Sequence, residues 1–215
     1  DGESYGHHFR FGDLTLAYAL AAEFAKRGLA LTNYATFLER FPPRMDVEID
    51  NGPGGEGTAW SCAHGVGRWT RDCGCSAGTP GWRQMWRAPL RRALDLVRDR
   101  AAALFTVEAA ELLRDPWAAR DRYAGALVDA DARARFLDDE KAQPLDPAQQ
   151  LRALRLLELQ RYCQLMYTSC GWFFDELSGL EGTQILRYAN RALELYELVS
   201  GENIEPMFLA VLAEA

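Results

Sequence analysis

Asp146-Pro147-Ala148-Gln149-Gln150-Leu151 opens the segment that decides the fold. An aspartate before proline sets a side-chain acceptor at the N-cap, ahead of a residue whose fixed φ suits the first helical position. Gln149, three residues after the cap, is placed to close a capping box. Behind it Leu156, Leu159, Cys163, Met166 and Cys170 recur at steps of three and four, a heptad-like seam. The spacing predicts a long helix with one apolar edge. Asp115-Pro116 repeats the same starting device and predicts a helix running through Tyr123 and Leu127. From Pro89 on, Leu90, Leu94, Val97, Ala101 and Leu104 form one apolar stripe, with Arg91, Asp95 and Asp99 outside it. A last helix is expected over Ile185, Ala189, Ala192, Tyr196 and Val199, ended by Gly201. Helices joined by short links make a bundle, so residues 89–215 are expected to form a helical-bundle domain.

The first fifty residues have a different texture. Asp13 is expected to cap a helix carrying Leu16, Leu20 and Phe24, with Gly28 ending it. Leu29 to Asn33 resembles a short buried strand, and Tyr34 to Arg40 a brief helical turn stopped by Pro42-Pro43. Val47 and Ile49 alternate with Glu48 and Asp50, the two-residue period of a half-exposed strand. Residues 1–50 therefore read as a short α/β segment. Between it and the bundle, residues 51–88 hold Gly52, Gly54, Gly55 and Gly57, then three of the five cysteines and four of the six tryptophans. A long irregular segment of this kind is usually functional.

Of 215 residues, 48% are hydrophobic and 26% charged, an ordinary globular balance. The net charge of -7 argues against a nucleic-acid partner, which needs a basic face. Lys26 and Lys141 are the only lysines among 24 basic residues; a GC-rich genome accounts for that bias as well as guanidinium chemistry does. No apolar run approaches the roughly 18 residues that span a bilayer, so no membrane partner is expected. Five cysteines, an odd number, suit thiols or metal ligands in a reducing, cytoplasmic setting better than a disulfide scaffold.

Four clusters carry chemistry. Asp1-Gly2-Glu3 with His7 and His8 sets two carboxylates near two imidazoles. Paired carboxylates push their pKa values apart, leaving one protonated to act as a general acid; a solvated Asp-Gly-Glu turn is the plain alternative. Because an acid at a chain end makes sense only with something before it, and no initiator Met is present, the chain is expected to be a piece of a longer enzyme. Cys62-Ala63-His64 and Cys73-Gly74-Cys75 offer four soft ligands that would hold zinc in a closed, structural site. The spacing is not that of a common zinc finger, and buried free thiols remain the other reading. Trp60, Trp69, Trp82 and Trp86 interleave with Arg68, Arg71, Arg83 and Arg87, as in clefts where indole faces stack on sugar rings, although aromatics also fill cores. Last, Gly171 interrupts the predicted long helix within Thr168-Ser169-Cys170-Gly171-Trp172-Phe173-Phe174-Asp175-Glu176, where aromatics and two acids bunch together.

Together these pieces resemble the carboxy-terminal half of glycoside hydrolase family 57 proteins, and more closely the family-57-like group that carries the domain-of-unknown-function family 3536. Asp1-Gly2-Glu3 with Tyr5-Gly6-His7 resembles the family-57 motif whose aspartate is the general acid. Trp60 to Val66, Trp69, Asp72 to Cys75 and Gly81-Trp82 resemble one signature of the uncharacterised domain; Tyr167 to Gly179 resembles another. The second is also similar to a family-57 helical motif with a substrate-facing tryptophan, here Trp172, but Gly171 stands where that motif has an acid. The resemblance implies a mainly α chain: a helical bundle preceded by a short α/β remnant of an incomplete (β/α) barrel. It also implies a retaining enzyme acting on α-linked oligo- or polysaccharide, needing no cofactor for catalysis. Asp1 would be the general acid, with Glu3, His7, His8, Trp60, His64, Arg68, Trp69, Trp82 and Trp172 around the substrate. The nucleophile would lie on an amino-terminal barrel of the same polypeptide, so that this piece alone would be inactive.

Overall fold

The computed structural model describes residues 9–59, 61–76 and 78–214. The chain divides into two compact units, Asp1–Ile49 and Asp50–Ala215.

In the first unit, α1 (Gly12–Tyr18) runs on through a π turn, Ala19–Glu23, into Phe24–Lys26. Its N-cap is Phe11, in the left-handed region at φ 62, with no side-chain cap. Asp13 lies instead inside the first turn, where its charge faces the positive end of the helix dipole. α2 (Tyr34–Arg40) is capped by Asn33, whose side chain accepts from the Thr36 N–H at 2.9 Å. The two strands expected here do not form: among the described residues Leu29–Asn33 and Val47–Ile49 are irregular, and Val47 and Ile49 are more than four-fifths exposed. A strand needs a neighbouring ladder to take its N–H and C=O groups, and only two isolated bridges occur among the described residues, Ala59 with Cys62 and Leu113 with Lys141. The described chain is mainly helical, and the barrel remnant is not part of it.

The second unit is built on α3 (Arg87–Glu108), α4 (Pro116–Arg122), α5 (Ala130–Glu140), α6 (Pro147–Leu165), α7 (Leu180–Ser200) and α8 (Glu205–Leu212). The expected caps are in place. Asp115 accepts from Ala118 N–H, and Asp146 and Gln149 exchange both capping-box bonds. α5 and α8 have no counterpart in the sequence reading; Asp129 caps α5 by accepting from Ala132 N–H at 2.7 Å. The stripe on α3 is buried as its period required, with Leu90, Leu94, Val97 and Ala101 at zero exposure. It packs on α6, α7 and α8, while α6 lies along α7. Leu156, Leu157 and Leu159 of α6 meet Ile185, Ala189 and Ala192 of α7 in this core. Gly201 ends α7 in the left-handed region at φ 75, as predicted.

One boundary differs in a way that matters for the site. α6 stops at Leu165, and residues Ser169–Trp172 form a separate 3₁₀ turn. Cys170 is therefore exposed rather than on the seam, and Gly171 lies beyond the helix rather than within it. Gly171 sits flat against α7, where an added Cβ would fall 2.0 Å from Ile185 Cδ1. Among the described residues no helix is long and apolar enough to cross a membrane.

Candidate metal centre

The described residues of 50–86 fold against the bundle with little regular structure, the 3₁₀ turn Gly67–Trp69 being the helical exception among them. Two glycines set their turns. Gly65 lies at φ +65, with Gly57 O only 2.8 Å from where a Cβ would stand, and Gly74 lies at φ +78. Each follows a cysteine or histidine that it helps to aim inward.

The result is a cluster of Cys62, His64, Cys73 and Cys75 whose donor atoms all lie within 4.8 Å of one another. Cys62 Sγ is 3.9 Å from Cys73 Sγ, from Cys75 Sγ and from His64 Nδ1, and Cys75 Sγ is 3.4 Å from His64 Nδ1. A tetrahedral zinc ion with bonds of about 2.3 Å to sulfur and about 2.0 Å to nitrogen spans edges of about 3.8 Å between sulfurs and about 3.5 Å between sulfur and nitrogen. These four edges match those values within a few tenths of an ångström, and the remaining two, from Cys73 to His64 and to Cys75, lie within 4.8 Å. All five cysteines are free thiols. Burial works against ionisation of Cys62, but main-chain groups of His64 and Arg68, with the His64 ring and Cys73, outweigh it and bring this thiol down to about 6. Burial and its two cysteine neighbours push Cys75 up. Three cysteines and one histidine would fill all four positions of a tetrahedral metal ion.

The loop is tied to the bundle by groups roughly a hundred residues away. Arg68 is buried, donates to the carbonyls of Phe173 at 2.7 Å and Ser61 at 3.2 Å, and stacks 4.4 Å over the Phe173 ring. Trp69 is half-buried and donates from Nε1 to Ser169 O. Asp175, 3% exposed, accepts from the Ser76 hydroxyl at 2.7 Å, the Thr79 N–H at 3.2 Å and Gln84 Nε2 at 2.8 Å. Trp86 donates to Asp175 O and stacks on Trp172. Trp172, at 1% exposure, is part of the core and presents no face to a ligand; it fills the gap between α3 and α7 instead of lining a cleft. Arg68 is likewise committed to main-chain carbonyls. Trp82 is different. Nearly half exposed, it lines an open cavity of about 390 Å³ with Thr79, Phe174, Glu176 and Glu181. His64 is exposed on one side while its Nδ1 faces the thiols. Asp1, Glu3, His7, His8 and Trp60 lie outside the described residues.

Sequence reasoning grouped by their close pairs the four donors that the structure brings together. It did not single out Arg87 and Asp175 as buried charges, because their partners are distant in sequence and no periodicity marks them.

The fold and site define a helical domain with a cysteine-rich loop held against it. Residues 82–215 match the family described as domain of unknown function (DUF3536), and the chain belongs to that family. No curated protein and no solved structure matches the chain.

Proposed function

We propose that Cys62, His64, Cys73 and Cys75 bind one zinc ion whose role is structural, locking residues 51–86 onto the end of the helical bundle. The observation that carries this reading is the set of four donors within 4.8 Å of one another, four of their edges being close to tetrahedral zinc lengths. Such a loop has little apolar core of its own, Cys62 and Trp86 being its buried hydrophobic residues among those described, so a closed metal site supplies the missing constraint. Metal analysis of the purified protein tests it: about one zinc per chain is expected, lost in Cys73→Ser together with protease resistance of the loop. A metal-free wild type with an equally resistant loop would refute it.

A second reading concerns what the ordered loop serves. We propose that the chain is the acid-bearing, cleft-forming half of a retaining, family-57-like hydrolase or glucanotransferase acting on α-linked glucan. Its support is the sequence resemblance around Asp1-Gly2-Glu3, joined to the exposed Trp82 and Phe174 beside Glu176 and Glu181. Aromatic faces with carboxylate acceptors suit a sugar's apolar face and hydroxyls. In a retaining enzyme Asp1 would stand about 5 to 5.5 Å from a nucleophilic carboxylate, protonate the leaving oxygen, then deprotonate the incoming water or sugar. The test is turnover of α-glucan by the full-length polypeptide and its Asp1→Asn variant. Undiminished rates in the variant would remove this reading and leave the metal-stabilised, carbohydrate-binding or purely structural module.

A further inference from the structure

Beside the metal cluster lie two buried guanidinium groups. Arg87 has zero exposure; its Nη2 donates to the carbonyls of Phe174 at 3.1 Å and Phe173 at 3.4 Å, and its Nη1 points at Cys73 Sγ, 4.0 Å away. Arg68 reaches the same Phe173 carbonyl from the other side. The Nε atoms of both arginines are buried without a hydrogen-bond partner. Two cations in so small a buried volume repel each other and lose hydration, which is expensive unless negative charge lies close by.

The group that Arg87 Nη1 faces is the Cys73 sulfur, at 4.0 Å, and pairing with it requires negative charge there. Neutral thiols supply none, whereas three thiolates and a neutral imidazole around a divalent ion carry a net charge of minus one. We propose that Arg87 is the counter-cation of the metal–thiolate centre, pairing with the Cys73 thiolate and linking the ion to the 173–175 turn that forms one wall of the Trp82 cavity. The inference rests on the zinc reading above and gives Arg87 a role no ligand list would assign. It is a positioning residue: it touches the ligand sulfur, and through the Phe173 and Phe174 carbonyls it holds the turn.

The test uses Co(II) alone as the probe, read by its sulfur-to-cobalt charge-transfer absorption and by competition with a chelator. Partners beyond the ligands typically alter metal affinity by about 10- to 100-fold. Arg87→Met, similar in length but uncharged, should weaken Co(II) binding by that factor, while Arg87→Lys, which keeps the charge, should lose clearly less. Arg83→Met, an exposed arginine of the same segment, should bind as wild type. Equal losses in Met and Lys would show a packing role and overturn the proposal, as would Met binding unchanged. If Arg87→Met does not fold but Arg87→Lys folds and binds, the charge is upheld; if both fail alike, it is not. A wild type lacking charge-transfer bands would instead sink the metal reading itself.

Discussion

Replacing Gly171 by alanine should destabilise the protein, although Gly→Ala usually does the opposite. The backbone here is not in the left-handed region, so alanine is free of conformational strain and should gain about 0.4–1 kcal/mol through the unfolded state. Against that, the new Cβ would lie 2.0 Å from Ile185 Cδ1, 2.4 Å from Ile185 Cγ1 and 3.1 Å from Glu181 O. Ile185 is 1% exposed and packed in the core, so it cannot swing away. Overpacking of this kind costs about 1–3 kcal/mol, and so deep an overlap belongs at the upper end. The net loss is then about 2 kcal/mol, which for a domain of this size lowers Tm by roughly 4–8 °C. Thermal unfolding followed by far-UV circular dichroism reads it directly. Ile185→Val removes the nearest atom and alone costs about 0.5–1.5 kcal/mol, yet combined with Gly171→Ala it should recover at least about 0.5 kcal/mol relative to the sum. A rise in Tm for Gly171→Ala, or strict additivity in the double variant, would refute the argument. The same contact explains why glycine stands here: no side chain fits between the 3₁₀ turn and α7.

Chelation of the wild type under reducing conditions should loosen residues 51–86 to protease while far-UV helicity stays, because nearly all of the bundle core comes from residues outside the loop; collapse of the helices with the loop would contradict a local lock. Trp172→Ala should cost about 3–5 kcal/mol as a buried aromatic, whereas Trp82→Ala should leave Tm nearly unchanged and weaken binding of a maltooligosaccharide measured by calorimetry. Reversed outcomes for the two would show that burial misassigns them. The Glu140 carboxyl is held below its ordinary 4.5 by hydrogen bonding to Arg122, at 2.7 and 2.8 Å. A folded-state value below the unfolded one makes this contribution fully present above pH 4.5 and lost as pH falls through the lowered value. Glu140→Gln should therefore be less stable than wild type at neutral pH, the gap closing in denaturant titrations as pH falls below 4.5 and through the lowered value; a gap that persists at low pH would contradict the pair. Thiol labelling of the native chain should reach Cys170, which is exposed, and spare Cys163, whose burial pushes it up to about 12.

Much of the helical part was legible because its signals are local. A cap, a proline at the first helical position and a three-four apolar period act within one or two turns, and Asp115, Asp146 and the α3 stripe did what those rules require. The strands expected at Leu29–Asn33 and Val47–Ile49 failed for the complementary reason. Alternation describes one face of a strand, but a strand exists only when another chain segment takes its hydrogen bonds, and none among the described residues does. The end of α6 was misplaced because the three-four period of Met166 and Cys170 continues past the point where the Gly171–Ile185 contact and the α7 packing turn the chain.

The site divides along the same line. By itself the sequence determined the donor set: two close Cys/His pairs, flanked by glycines free to turn tightly, are chemistry that can be read from residue type and spacing. Only the tertiary structure decided that the pairs converge to within 4.8 Å, that Trp172 and Arg68 belong to the interior while Trp82 faces outward, and that Arg87 and Asp175 are buried charges. Burial and charge balance are properties of groups brought together from roughly ninety residues apart, and no local pattern carries that information.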